Sequence, residues 1–329
     1  MDLRQIRSFV TLAKLSNITK TAETLHLSPA AIHKQLKNLE DELQTPLYEK
    51  IGRRLQLTQA AQVLLPHATD LLLRYEATLE ALREWQGSKT ATVRLGSGPG
   101  ISIELLPELL SQFRNAHPGI EVVVETGSTV WLIQNLTEGA LDLAIMVNPD
   151  APGRERLTEE VAWDFEIVLV TASREVPRRC QIHALEAFPF ILFKSGSQLE
   201  KAIGGYMEKH DFHPRVSMRF DNVETIKAML KASAGISMLP QWAVLREIRN
   251  GSLRLIRQTE PPLRSKIILA VRRGSYVPAP AKALIETAAR SRYPGLGDEP
   301  AVTAACAVRR HRQDPHLERT PRAPHPQSP

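Results

Sequence analysis

The sequence of 329 residues predicts an α/β protein with a helix-rich N-terminal winged helix-turn-helix and a C-terminal, two-lobed doubly wound domain like a periplasmic binding protein. Three observations predict this fold. Three helical patterns and two short strand patterns occupy residues 1–58, one long helical pattern occupies 59–86, and strands alternate with helices over 93–293. Such alternation is typical of a largely parallel sheet with helices on its faces.

The helix pair at residues 18–43 is the most informative stretch. Asn17 and Ser28 are placed to cap the two helices, and Pro29 suits the first helical position, where its missing N–H costs nothing. On the second helix one apolar stripe recurs at helical spacing. The stripe comprises Ile32, Leu36, Leu39 and Leu43. The opposite side is small at its start and basic along its length, as in a helix that enters a DNA major groove. It comprises Ala30, His33, Lys34, Lys37 and Asn38.

Two flanking patterns complete a winged helix. Apolar residues at helical spacing from Leu3 to Ala13 predict a helix that covers the pair. Residues 46–50 and 53–57 predict two short strands around Ile51 and Gly52. A helix pair with one basic face can equally be solvated surface. The covering helix and the basic hairpin favour DNA binding.

Residues 59–86 predict one long helix capped by Thr58. Apolar spacings of four and three alternate along it, which is typical of a dimer seam. The seam comprises Ala61, Leu65, Ala68, Leu72, Tyr75, Leu79 and Leu82. The alternative is a single helix lying on its own domain, but no nearby segment is placed to cover it. Pro66 is expected to bend the helix, and the polar residues 87–92 are expected to form a hinge.

The α/β patterns predict lobe I at about residues 93–162 and 266–293, and lobe II at about 163–265. Open α/β sheets bind ligands beyond the carboxyl ends of their strands. Gly96–Gly100 and Gly127–Thr129 follow two neighbouring predicted strands and offer hydroxyls and free amides, which favour an anionic ligand. Plain turn chemistry and N-capping explain the same residues equally well.

Several segments resemble the LysR-type transcriptional regulators. They are LRQIRSFVTLAKLSNITKTAETLHLS from Leu3, the run Lys34–Glu40, PLYEKIGRRLQLTQAA from Pro46, and the later ETGST and GISMLP. The resemblance covers roughly residues 1–292 and implies a DNA-binding head, a dimerising linker helix and an effector bound in a cleft. The family usually has glutamine and proline after the capping serine, and a serine at the position of His33. This chain departs from that pattern, so its operator sequence cannot be taken from a relative.

Two sites follow from the patterns and the resemblance. The predicted DNA-binding residues are Thr19, Ser28, Pro29, Ala30, His33, Lys34, Lys37, Arg53 and Arg54. The predicted effector-binding residues are Ser97, Gly98, Pro99, Gly100, Ser128, Thr129, Phe193 and Ser195. The expected partners are double-stranded DNA carrying an interrupted inverted repeat, a small-molecule effector, and further copies of the chain. Those copies form a homodimer through the linker helix and, by resemblance, a homotetramer. RNA polymerase is a further expected partner.

Composition and missing motifs narrow the function. Net charge of +6 with a pI near 9.4 is compatible with nucleic acid but weakly diagnostic. No run approaches the roughly 20 apolar residues of a membrane helix, and no signal peptide is recognisable, so we expect a cytoplasmic protein without membrane partners. Gly96–Gly100 lacks the dinucleotide fingerprint, and no Walker A, H-E-x-x-H or G-x-S-x-G motif occurs. We expect no catalytic residues, cofactor or metal.

Three further expectations concern alternatives and the C-terminus. A binding module without gene control, or an enzyme with a DNA head, is disfavoured by the basic winged helix and the missing catalytic motifs. Cys180 follows two arginines, which could lower the pKa of its thiol, yet no second cysteine lies nearby to form an oxidant-sensing pair. Residues 294–329 are rich in Pro, Arg and His and predict a disordered tail.

Overall fold

The computed structural model describes residues 1–51, 54–85, 91–148, 150–232, 235–297 and 301–302. The chain divides near residue 90 into two compact units, with residues 274–279 grouped with the first. This division falls within the segment 87–92, where the sequence favours a hinge. No helix in the described part of the chain has the length and apolar character needed to cross a membrane.

The N-terminal unit is a winged helix-turn-helix. Its elements are α1 (Leu3–Leu15), α2 (Ile18–Leu25), α3 (Pro29–Leu43), β1 (Tyr48–Ile51), β2 (Arg54–Leu57) and α4 (Gln59–Trp85). The predicted caps are confirmed: Asn17 accepts from the Lys20 amide, Ser28 from Ala31 and Thr58 from Ala61. Because such caps satisfy amides that the first turn leaves without acceptors, the sequence locates each helix start locally.

The core of this unit comes from α1 and α3. The fully buried core residues include Phe9, Leu12, Ile32, Leu36 and Leu39. Leu43, predicted to extend the same stripe, is 36% exposed, so that part of the prediction is wrong. Leu43 is the last residue of α3, and Gln44 ends the helix in the left-handed conformation beyond the reach of the core.

The predicted seam on α4 is divided between two environments. Ala61, Ala68 and Leu72 are buried in the core of the N-terminal unit. Tyr75 and Leu82, further along the same helix, are exposed, as is Leu71 of the flanking row. The prediction of one continuous dimer seam is therefore wrong for the first half of α4, which packs on its own domain. In the second half, Tyr75 and Leu82 are apolar side chains that this chain does not cover.

The C-terminal unit alternates strands and helices, as predicted. Its strands are β3 (Ala91–Ser97), β4 (Ile120–Thr126), β5 (Leu143–Val147), β6 (Leu157–Thr171), β7 (Arg179–Cys180), β8 (Phe190–Phe193), β9 (Val216–Phe220), β10 (Ile236–Pro240), β11 (Arg254–Gln258), β12 (Leu263–Arg272) and β13 (Ala301–Val302). Its helices are α5 (Pro99–Glu104), α6 (Leu106–Ala116), α7 (Thr129–Thr137), α8 (Gln198–Lys209), α9 (Val223–Lys231), α10 (Gln241–Arg249) and α11 (Ala279–Arg290).

One sheet runs through both lobes in the order β4-β3-β5-β12-β6-β10-β8-β9. Pairing is parallel within β4-β3-β5 of lobe I and within β10-β8-β9 of lobe II. The long strand β6 pairs antiparallel with β12 over Leu157–Ile167 and with β10 over Ile167–Thr171, so it passes from one lobe into the other. This is the predicted two-lobed arrangement joined by crossing strands.

The structure corrects several predicted boundaries. Ala91 and Thr92 belong to β3 rather than to the hinge, and residues 86–90 lie outside the described part. The helix expected after Gly96–Gly100 begins within that segment, because Pro99 and Gly100 already belong to α5. The helix α10 was missed, although its buried Trp242, Ala243 and Glu247 recur at helical spacing.

The predicted disordered tail begins too early. Tyr293 is buried edge-to-face against Trp163, which raises the pKa of its phenol to about 12. The Gly297 amide donates to the Asp164 carbonyl, and Ala301–Val302 pair with β6. A Pro-rich composition therefore does not prevent this segment from docking on a sheet edge. The rest of the predicted tail, from residue 303, lies outside the described residues.

Candidate DNA-binding face and effector cleft

The turn between α2 and α3 sets how α3 is presented. His26 ends α2 in the left-handed conformation, with φ of 53°, and the Leu27 amide donates to the Ala22 carbonyl at 2.9 Å. The Ser8 hydroxyl on α1 donates to the Gln35 side chain, which anchors α3 sideways. Since the inner stripe of α3 is buried, these contacts leave its other side exposed along the whole helix.

The structure brings most predicted DNA-binding residues onto that exposed side. The exposed residues at the start of α3 and on its outer face are Ser28, Pro29, Ala30, His33, Lys34 and Lys37. Thr19, in the first turn of α2, is exposed as well. Lys37 forms an ion pair with Asp41 at 3.1 Å, and this pairing raises the pKa of Lys37. Among the described residues no carboxylate pairs with Lys34.

The wing is a two-stranded hairpin with Tyr48 opposite Leu57 and Ile51 opposite Arg54. Leu55 and Leu57 pack against the core of the head, which holds the hairpin base. Arg53 lies outside the described residues, and for Arg54 only its place at the start of β2 is described. Both arginines therefore remain predicted DNA contacts.

In lobe I the ends of β3 and β4 meet, as the sequence predicted. The two strands are in register with Ser97 beside Thr126, and the Ser97 carbonyl accepts from the Gly127 amide at 3.1 Å. Ser97 is fully buried, and its hydroxyl donates to the Gly98 carbonyl at 3.2 Å. Gly98 and Pro99 begin α5, with the Gly98 amide donating to the Ile145 carbonyl at 3.2 Å.

The second predicted loop begins α7. The Ser128 hydroxyl accepts from the Trp131 amide at 3.3 Å, so N-capping, the alternative interpretation, accounts for this residue. Thr129 is the first residue of α7 and is half-buried. The first-turn amides of a helix have no acceptor within that helix, so this end of α7 can donate to a ligand.

Comparison with known proteins decides the family. Residues 3–62 match the family described as "Bacterial regulatory helix-turn-helix protein, lysR family", and residues 86–292 match "LysR substrate binding domain". The chain belongs to the LysR family. It is a LysR-type DNA-binding transcriptional regulator with an effector-binding domain, and its partners are DNA and a small molecule.

Individual relatives agree with this assignment. The chain is 27% identical to the regulator CbbR of Rhodospirillum rubrum, over 86% of this chain and 94% of CbbR. It is also 27% identical to the dual regulator GltC of Bacillus subtilis, over 73% of this chain and 81% of GltC. A full-length OxyR variant from Pseudomonas aeruginosa has the same fold, with a TM-score of 0.68 and 19% identity over 91% of this chain and 98% of that one. CbnR, solved with its target DNA, matches at a TM-score of 0.57 and 21% identity, over 89% of this chain and 100% of that one.

In this LysR-type regulator, the two effector-binding residues predicted in lobe II lie in different environments. Phe193 is only 3% exposed, so its ring belongs to the core of lobe II instead of lining an open cleft. Its backbone carbonyl accepts from the Arg219 guanidinium at 3.2 Å. Ser195 is exposed in the turn that follows, and Ser197, which the sequence analysis passed over, caps α8.

Nothing in the sequence indicates how closely lobe II approaches the start of α5. A Cβ built on Gly100 would lie 3.1 Å from Val223, which begins α9, and 3.5 Å from Trp242 in the first turn of α10. On another side, the Asp150 amide of lobe I donates to Gln198 of α8 at 3.2 Å. Asn222, capping α9, was the one local signal that marked this end of lobe II. Gly100 thus permits close packing between the lobes.

Cys180 does not have the environment expected of a reactive thiol. It is half-buried on β7, and burial, helped by Glu260, raises the pKa of the thiol. The two neighbouring arginines do not lower this pKa, because burial disfavours the thiolate. In the described part of the chain, no cluster of three or more His, Cys, Asp or Glu side chains is placed to hold a metal ion.

Proposed function

We propose that this regulator reads one operator through the first half of α3 and changes its DNA complex when a small anionic metabolite binds between the lobes. The burial of Ile32, Leu36 and Leu39 supports the proposal that α3 reads the operator. Because those side chains fix the rotation of α3, the same face of the helix is always offered to DNA. Its first two turns carry Ala30, His33 and Lys34, which we assign to base edges in the major groove.

Other basic and polar groups set affinity in this proposal. Pro29 would lie in the major groove beside Ala30. Thr19, Ser28 and Lys37 would contact sugar and phosphate, and the wing arginines Arg53 and Arg54 would contact phosphate or the minor groove. Contacts of this kind displace counterions and make binding depend on salt, but they do not read sequence directly. Lys37 differs from Lys34 because its ammonium already forms an ion pair with Asp41.

Replacing Lys34 with alanine is expected to weaken operator binding by about 1–3 kcal/mol and random-duplex binding by much less. Operator DNA would be sought by footprinting the region immediately upstream of the regulator's own gene. Binding to operator and to random duplex would then be measured by fluorescence anisotropy across a salt series.

Lys37→Ala is the matched control. If Lys37 contacts phosphate, its loss should weaken both complexes about equally and reduce the salt slope by about 1. Equal weakening of both duplexes by Lys34→Ala would remove Lys34 from the base-reading set. Weak, salt-sensitive binding of the unmodified protein to both duplexes would count against sequence-specific reading by this head.

We also propose a homodimer through the second half of α4, which further contacts between effector domains extend to a homotetramer. Tyr75 and Leu82 support the dimer, because they are 39% and 52% exposed on one long helix. A partner helix would remove them from water. A dimer carries two α3 helices, so its operator would be an interrupted inverted repeat. A reoriented dimer on a promoter would act on RNA polymerase, in the cytoplasm.

The effector proposal rests on the meeting of β3, β4 and their helices in lobe I. Ser97 and Thr129 offer hydroxyls, and the first-turn amides of α7 offer donors that suit an anion. Gly98, Pro99 and Gly100 would line one side, Ser128 the next, and Ser195 the lobe II side. Since Ser97 is fully buried, a ligand reaches its hydroxyl only when the surrounding groups move, as they would if the lobes parted.

Ser97→Ala and Thr129→Val are each expected to raise the effector concentration for half-maximal response roughly tenfold, the usual scale for one lost hydrogen bond. Effectors would be found by thermal-shift screening of small carboxylates and phosphates. The response would be read as the effector-dependent change in operator footprint. Ser102→Ala is the matched control, because Ser102 also donates to the Gly98 carbonyl, at 3.1 Å, from a position outside the proposed site. An unchanged response in both site variants would place the effector elsewhere.

A further inference from the structure

A lysine with no exposed surface lies where the two lobes meet. The side chain of Lys227, on α9, is 0% exposed. Its Nζ atom lies 2.7 Å from a carboxylate oxygen of Glu104, 2.8 Å from Glu224 and 3.3 Å from Glu247. It also donates to the Ala243 carbonyl at 2.9 Å. An unpaired ammonium would be very costly in such a place, so this cluster is what permits the charge to be buried.

The positive and negative charges around Lys227 balance each other. Glu247 also faces Lys231 at 3.2 Å and Arg246 at 3.6 Å, so three carboxylates meet three cations. Burial by itself would lower the pKa of Lys227, but its hydrogen bonds to Glu104 and Glu224 outweigh burial and raise that pKa. Lys227 is therefore a permanent cation in the folded protein.

Only one member of the cluster comes from lobe I. Glu104 is the last residue of α5, whereas Glu224 and Lys227 lie on α9, and Ala243 and Glu247 lie on α10 of lobe II. The helix α5 has six residues, which span about 9 Å. Its other end is Pro99 and Gly100, two of the proposed effector residues. One short rigid helix thus connects the proposed effector site to the contact between the lobes.

We infer that the Glu104–Lys227 ion pair is a latch between the lobes, through which a ligand at the start of α5 changes how lobe I is held on lobe II. The pair can open without leaving a buried charge alone. Lys227 keeps Glu224, Glu247 and the Ala243 carbonyl within its own lobe, and Glu104, with 16% of its side chain already exposed, returns to water. Opening therefore costs far less than breaking a buried pair that has no other partners.

The latch also explains why this lysine is surrounded by more carboxylate than it needs. If Glu104 were the only partner of Lys227, opening the ion pair would leave an unpaired cation buried in lobe II. With Glu224 and Glu247 alone, nothing would link α9 to α5. The role of the latch in effector response rests on the proposed function, but its existence as a link between the lobes does not.

The test measures the distance between the lobes directly. Nitroxide labels on Asn115→Cys of α6 and Glu208→Cys of α8, both exposed positions, would report that distance by pulsed electron paramagnetic resonance. The background would carry Cys180→Ser and Cys306→Ser. Full-length labelled protein would be diluted with unlabelled protein, so that only pairs within one chain are seen, and no effector would be present.

Glu104→Gln is expected to add a second, longer distance population that the wild-type latch suppresses. Glu104→Asp, which keeps the charge but shortens the reach, is expected to do the same. Glu224→Gln is the matched control: it removes one carboxylate from the same Nζ but within lobe II, so the wild-type distribution should remain. Circular dichroism melts would confirm that each variant is folded at the measuring temperature.

Two outcomes would overturn the latch. One is an unchanged distribution in folded Glu104→Gln and Glu104→Asp proteins. The other is an equal shift in Glu224→Gln, which would mean that loss of charge, not loss of the link, moves the lobes. If the latch holds, Glu104→Gln should also lower the effector concentration for half-maximal response, roughly tenfold, because parted lobes open the way to Ser97. A second distance population with no shift in effector response would keep the latch and refute the proposed effector site at α5.

Discussion

Gly235→Ala is expected to lower the free energy of unfolding of the effector domain by at least about 3 kcal/mol. Gly235 has φ of +140°, where side chains are rarely tolerated. A Cβ there would lie 2.2 Å from the Pro189 carbonyl oxygen. That oxygen cannot move away freely, because it accepts from the Ile236 amide at 2.9 Å and so keeps β10 beside β8. The Gly235 carbonyl is itself held by the Thr171 hydroxyl at 2.9 Å.

The measurement is urea unfolding followed by tryptophan fluorescence, since Trp131, Trp163 and Trp242 all lie in the effector domain. Gly205→Ala is the control. Gly205 lies inside α8 with nothing within 4 Å of a built Cβ, so alanine should stabilise the helix by up to about 1 kcal/mol. If Gly235→Ala and Gly205→Ala shifted the midpoint alike, backbone strain and the Pro189 contact would not be controlling stability at Gly235.

Leu36→Ala is expected to destabilise the DNA-binding head by about 2–5 kcal/mol, although Leu36 faces away from DNA. Leu36 is fully buried between α3 and the rest of the head core. A domain of some 60 residues has little stability to lose, so a loss of this size leaves much of the head unfolded at growth temperature. Operator binding should fall accordingly.

Leu43→Ala separates this effect from a general weakness of α3. Leu43 lies on the same helix but is exposed, so its truncation should cost less than about 1 kcal/mol and leave operator binding nearly unchanged. Operator anisotropy would be measured from 10 to 40 °C, with helical circular dichroism recorded alongside. The packing account would be refuted if Leu36→Ala protein kept both its helical signal and its affinity over that range.

Local signals in the sequence predicted most of the N-terminal unit. Asn17, Ser28 and Thr58 each accept from an amide three residues further along the chain, so each cap can be recognised from a few neighbouring residues. The buried stripe of α3 is equally local. The prediction failed at Leu43, because periodicity shows which side of a helix is apolar but not where the neighbouring core ends.

The effector domain was predictable in outline and less so in its site. Alternating strands and helices predicted the two lobes, and neighbouring strand ends placed Ser97 near Gly127. The prediction for Phe193 was wrong because Phe193 belongs to the end of β8, and only packing decides which way a side chain at a strand end faces. The helix α10 was missed because it follows the strand β10 directly, with only Gln241 between the buried residues of the two elements.

The sequence by itself determined the family, the class of function and the rotation of α3, because all three depend on residues close together in the chain. The tertiary structure alone decided which half of α4 stays exposed, how the segment after α11 docks, and which groups meet at Lys227. Glu104 and Lys227 are 123 positions apart, and no periodicity or cap relates them. A buried lysine in a helical pattern is indistinguishable from a solvated one until the carboxylates of two lobes are seen to converge on it.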